Sequence, residues 1–157
     1  MKVWAVHLVL IAGLFAAQFL LSPYHTTNLA RIMVLAVFAM GYNLAFGYTG
    51  LLSLGHALLL GAGMYAAGLS AQHWGLTAGP ALILGILGGG FVAAAIGLLA
   101  LRTAGVSFMI VTLMFAQAGY LTILYFGATT GGDEGFTLGA SARTFAGFDL
   151  SADTPRF

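Results

Sequence analysis

The chain has 157 residues, of which 61% are hydrophobic and 6% charged, with a formal net charge of +1. An ordinary soluble domain carries about 25% charged residues; so few charges cannot coat a soluble globule of this size, and the composition is that of an integral membrane protein. The near-neutral balance excludes a basic footprint for nucleic acid. The absence of cysteine excludes a disulfide framework, a thiolate metal site and a redox motif.

A membrane helix needs about 20 mainly apolar residues. The first such span is 3–21, closed by the breaker Ser22-Pro23. Lys2, the apolar core and the small pair Ala16-Ala17 would also suit a secretory signal. The apolar run continues to Leu21 and further spans follow, which suits a retained anchor. The second span covers 29–46 and the third 53–71. The fourth covers 80–101, with Pro80 near the first turn, where a helix tolerates it. The fifth covers 106–126. From Gly127 onward the chain turns polar and glycine-rich and holds all four acidic residues, Asp133, Glu134, Asp149 and Asp153. The expected architecture is therefore all-α: a polytopic transmembrane helix bundle of about five spans over 1–126. The polar C-terminal segment 127–157 reads as an extramembrane loop or tail.

Lys and Arg in short loops set orientation. With five spans Lys2 and Arg102 fall on one side, which should be cytoplasmic, and the acidic segment then lies outside. Arg31 points the other way, but near a helix end its long side chain can snorkel to the interface. In span four Ala81, Gly85, Gly89, Ala93 and Gly97 recur every four residues. Successive members drift about 40° around the helix axis, and such a small-residue row suits a close right-handed helix crossing. It reads as a packing device rather than a substrate site. No internal repeat is evident.

The polar residues inside the apolar spans are few. His7 and Gln18 lie in span one, Asn43 in span two, and Thr112 and Gln117 in span five. Asn43 suits a cross-link between helices, and Thr112 suits a hydrogen bond to its own backbone. The exception is "GYTGLLSLGHALLLGAG", residues 47–63. Gly47 and Gly50 bracket Tyr48-Thr49. Ser53 is a residue type that caps helix N-termini, so Ser53 is expected to start a new helix after a glycine break. Two readings stand: a plain cytoplasmic turn, or a break at membrane depth of the kind that builds substrate sites in transporters. His56 is an ionisable group at or near the bilayer, but it has no second His, Asp or Glu at metal-ligand spacing, so no metal site is expected. No cofactor is expected either. No paired carboxylates and no supported Ser/His/Asp arrangement mark an enzyme, and no phosphate-binding Gly-Lys-Ser/Thr loop marks a nucleotide hydrolase. "TGGDEGF" (130–136) is a tight glycine loop flanked by acids, suited to a turn or to part of a polar vestibule.

Three motifs together resemble the permease subunits of branched-chain amino-acid ABC importers, the LivM type. Ser53, Leu54, Gly55, His56 and Ala57, with Gly61, Gly63 and Tyr65, are similar to that family's signature. Leu101, Arg102, Gly105, Phe108, Thr112 and Leu113 resemble a second block. Thr130, Gly131, Gly132 and Gly135 resemble its Thr-Gly-Gly loop. The resemblance covers about 40–136. Leu52 stands where the family often has Gln, Ser107 where it often has Tyr, and Met64 where it often has Ala. The resemblance implies a multi-pass protein of a bacterial inner membrane that forms a pathway with a second permease subunit. It also implies two ATPase subunits, so that this chain is not itself an enzyme, and a periplasmic substrate-binding protein. Branched-chain amino acids are the implied substrates; urea, short amides and other small amino acids are carried by similar proteins. Ser53, Gly55, His56 and Thr112 become the candidate pathway residues. Such permeases continue through further spans, so the ending "ADTPRF" reads as a cut before a next helix, and the chain as an N-terminal fragment. The rivals from other classes are a non-transporting structural membrane fragment and a secondary transporter, which should show an inverted repeat.

Overall fold

The computed structural model describes residues 2–135, 137–138, 144–145 and 148–149; at 2, 3, 18, 19, 23, 144, 145, 148 and 149 it describes the backbone alone. The Gln18 side chain and the "ADTPRF" ending therefore lie outside the described residues. The elements are α1 (Lys2–Leu20), α2 (Pro23–Thr49), α3 (His56–Trp74), α4 (Ala78–Ala100), α5 (Val106–Tyr125) and the short α6 (Gly127–Thr130). Two-residue strands β1 (Thr144–Phe145) and β2 (Phe148–Asp149) pair antiparallel, Thr144 opposite Asp149 and Phe145 opposite Phe148. They lie in the polar segment and leave the helical architecture unchanged.

The chain divides into two compact units, 1–44 and 45–157. In the first, α1 ends at Leu20 and α2 begins at Pro23 rather than at 29. Proline suits the first helical position, where its missing N–H costs nothing, and the Ser22 carbonyl accepts from the Thr26 N–H at 3.0 Å and from Thr26 Oγ1 at 3.2 Å. The earlier start leaves Arg31 two turns inside α2 instead of near its end. No described side chain of this unit is buried; Trp4, Val9 and Val37 are 77%, 71% and 64% exposed. Asn43 is exposed as well.

The second unit is organised around α3, which packs along α4 and also touches α5 and α6. Its contacts are made by small residues. A Cβ placed on Gly85 would stand 2.9 Å from the Gly63 carbonyl oxygen and 2.9 Å from the Ala67 Cβ, and one on Gly89 would stand 3.2 Å from the Gly63 Cα. A Cβ on Gly88 would stand closer still, 2.5 Å from the Ala66 Cβ. Ala71 and Ala81 are buried together under Leu76 at one end of the crossing. At the other end Gly97 has nothing within 4 Å of a Cβ position. The drift of a four-residue row around a 3.6-residue helix accounts for this: three steps past Gly85 it has turned about 120° away from α3.

Three described helices are long and apolar enough to cross a membrane, Tyr24–Thr49, Ala78–Ala100 and Val106–Tyr125, and Trp4–Ala17 is a shorter apolar stretch. α3 has the length, 19 residues, but His56, Tyr65, Ser70, Gln72 and His73 keep it below the hydropathy of the others. The helix with the most neighbours needs less apolar surface, because other helices cover part of it.

Candidate functional site: the break between α2 and α3

The window 47–63 folds as a break, placed slightly later than its glycines suggest. α2 runs through Gly47 and Tyr48 to Thr49, so the interruption opens at Gly50 rather than Gly47. Gly50 adopts φ +68°, a left-handed conformation that glycine takes without the cost of a Cβ. Its N–H still donates to the Phe46 carbonyl at 2.9 Å. Thr49 finishes the helix with its hydroxyl, donating to the Ala45 carbonyl and accepting from the Leu51 N–H at 3.3 Å. Residues 50–55 are non-helical and α3 starts at His56.

Gly55, not Ser53, is the N-cap of α3, and no side chain caps it. The reason is steric. A Cβ on Gly55 would overlap the backbone carbonyl oxygen of Thr112 in α5, so only glycine fits where the descending chain meets that helix. The Gly55 carbonyl takes the first bond of the new helix, from the Leu58 N–H at 3.0 Å. Beside it the Leu54 N–H donates to Thr112 Oγ1 at 3.2 Å, and that hydroxyl donates to the Met109 carbonyl at 3.0 Å. Thr112 is 4% exposed. It thus bonds its own helix, as threonine in a membrane helix does, and ties the break to α5 with the same oxygen.

This contact places the break along α5. Thr112 stands six residues beyond Val106, the first residue of α5, or about 9 Å along the helix at 1.5 Å per residue. The break meets α5 well inside a membrane-length helix, not level with its end. Of the candidate residues, Gly55 and Thr112 are in contact, Ser53 and His56 flank them half-buried, and Gly47 lies a turn away in α2. Gln117 is exposed on α5.

The glycine loop is built at the far end of α5. Gly131, Gly132 and Gly135 have φ of +76°, +57° and +71°, and a Cβ on Gly131 would collide with the Gly135 carbonyl. Thr130, marked in the sequence as the first residue of the Thr-Gly-Gly motif but without a role of its own, organises this turn. Its hydroxyl faces the carbonyls of Ile123 (2.6 Å) and Phe126 (3.1 Å) and accepts from the Gly132 N–H at 3.2 Å. A hydroxyl residue just past a helix end, followed by two glycines, is the signal that could have found it. Tyr120 Oη reaches Asp133 Oδ1 at 3.4 Å. Gly135 and Leu138 close one side of an apolar cavity of about 490 Å³ whose other walls include Met64, Tyr65, Ala71 and Leu82 of α3 and α4. Gly119 of α5 sits against the Leu58 Cδ1 of α3, a second close approach that the sequence did not mark. Among the described residues no group of His, Asp and Glu is placed to hold a metal ion.

Helices apolar outside, joined inside by glycine, alanine and threonine, with one segment broken within the bundle, define a multi-pass membrane protein. The model of the family described as branched-chain amino acid transport system / permease component matches residues 25–154, and the chain belongs to that family. The family is one of transport permeases rather than of enzymes. No curated protein and no solved structure matches the chain.

Proposed function

We propose that the chain is a membrane-embedded subunit of an ATP-binding-cassette importer for branched-chain amino acids in a bacterial inner membrane. On this reading 1–126 is the transmembrane region and the segment from Gly127 is extramembrane, with the side of Lys2 and Arg102 cytoplasmic. A second permease subunit completes the pathway, two ATPase subunits drive it, and a periplasmic binding protein delivers substrate. The observation that supports the reading is the contact of the break with Thr112, six residues inside α5. Irregular backbone inside a bilayer is stable only against protein or a wet cavity, and broken helices recur at transporter substrate sites. Ser53 and His56, half-buried beside the clamp on α5, are the residues assigned to the pathway surface, which the partner subunit would close. Gly55 and Thr112 hold that surface in shape.

The experiment uses the transporter assembled with its partner subunits in membrane vesicles. Ser53→Cys and His56→Cys should be labelled by aqueous thiol reagents at rates that change with ATP and with leucine, isoleucine or valine. Labelling indifferent to both would overturn the pathway assignment. ATP-dependent uptake of urea or short amides in place of these amino acids would overturn the substrate class.

A further inference from the structure

The geometry points to Thr112 as a positioning residue for transport: its hydroxyl and carbonyl clamp the α2–α3 break onto α5, so that the break moves with α5. This rests on the proposed transport function, and it removes Thr112 from the residues that would meet substrate.

Three features of the clamp support it. The hydroxyl is buried and engaged twice, accepting from Leu54 N–H and donating to Met109. Its proton and one lone pair are committed, and burial closes the remaining lone pair to a passing solute. The second contact is backbone on backbone. Gly55 approaches the Thr112 carbonyl more closely than any side chain would permit, so side-chain rotation cannot release it. The third feature is the asymmetry of the break. Its Gly55 end is gripped in this way, whereas a Cβ on Gly50, at the α2 end, would have nothing within 4 Å, and the backbone there is left-handed. A segment fixed at one end and open at the other bends at the open end. Movement of α5 would carry Leu54, Gly55 and the start of α3, and the change in backbone angle would be taken up at Gly50.

Two variants separate the hydroxyl from the side chain's volume. Thr112→Val keeps the shape and leaves the Leu54 N–H without its acceptor; Thr112→Ser keeps the acceptor and loses a methyl. In the assembled transporter, Thr112→Val is expected to loosen the break. Thiol labelling of Ser53→Cys should rise several-fold and lose its dependence on ATP, with maximal uptake falling more than KM changes. Thr112→Ser should restore the wild-type pattern. Equal behaviour of Val and wild type, or equal failure of Val and Ser at normal membrane abundance, would overturn the clamp. Amide exchange of the unaltered protein tests it without a variant. The Leu54 amide should exchange roughly two- to tenfold more slowly than that of Leu52, the protection that one neutral hydrogen bond gives; equal rates would overturn it. Failure of amino-acid uptake alongside a protected Leu54 amide would count against the transport reading and leave the clamp standing.

Discussion

The two units of this chain carry similar residues and use them differently. In 2–44 no described side chain is buried, and large apolar groups cover α1 and α2 on all sides. In α3–α5 the contacts are made by Gly55, Gly63, Gly85, Gly89, Gly119 and Thr112. Burial of apolar surface does not drive helices together in lipid, because the lipid is equally apolar. Close approach and hydrogen bonding do. Most large apolar residues therefore face outward from this chain, with Phe108 of α5 a buried exception and Leu58 and Leu76 packed inward, and small or hydroxylated residues mark the closest contacts within it.

The largest effect that tests this contrast is expected where a side chain would be forced into backbone. Gly85→Val and Gly55→Val should each destabilise the α3–α5 region by about 3 kcal/mol, the upper part of the overpacking range, in reversible unfolding in mixed micelles. Gly61→Ala, in the same helix as Gly63 but with nothing within 4 Å, should change little. Equal costs at Gly61 and Gly85 would mean that the small residues are not the contact.

A smaller effect is expected in the glycine loop. Gly131→Ala should cost about 2 kcal/mol, since it combines a left-handed backbone with the Gly135 carbonyl. Gly135→Ala, left-handed but with open space beside it, should cost about 1 kcal/mol. Thr130→Val should cost roughly 1–2 kcal/mol by leaving the Gly132 N–H and the Ile123 carbonyl without their partner. The smallest effect belongs to the first unit. Leu35→Ala and Val37→Ala should stay within about 0.5 kcal/mol, as substitutions away from packed contacts do. A larger loss measured only in the assembled transporter would show that α2 faces a partner subunit rather than lipid.

Much of this was legible in the sequence. Composition gave the membrane, and apolar runs placed α4 and α5 to within a few residues. The four-residue row in α4 was visible as well. The point where it leaves α3 was not, because that depends on the crossing; Gly88, outside the row, is in contact, while Gly97, inside it, is not. The start of α2 was placed late because Tyr24, His25, Thr26, Thr27 and Asn28 are polar, although Pro23 and the Ser22 carbonyl begin a helix there. α3 was read as a span like the others because the window 53–71 leaves out Gln72 and His73, the polar end of the helix. At the break, Ser53 has the right chemistry for an N-cap. Gly55 takes the position because of the Thr112 carbonyl, 57 residues away in sequence, which no local pattern contains.

The central claim is that this break lies within the membrane and not at its surface. Spin labels at Ser53→Cys and at Ala104→Cys, in the turn between α4 and α5, test it by their collision rates with oxygen and with a water-soluble relaxation agent. The label at 53 should lie several ångströms deeper than the label at 104, as the offset of about 9 Å along α5 requires, while still meeting the water-soluble agent. Equal depths for the two labels would make residues 50–55 a surface turn and contradict the account.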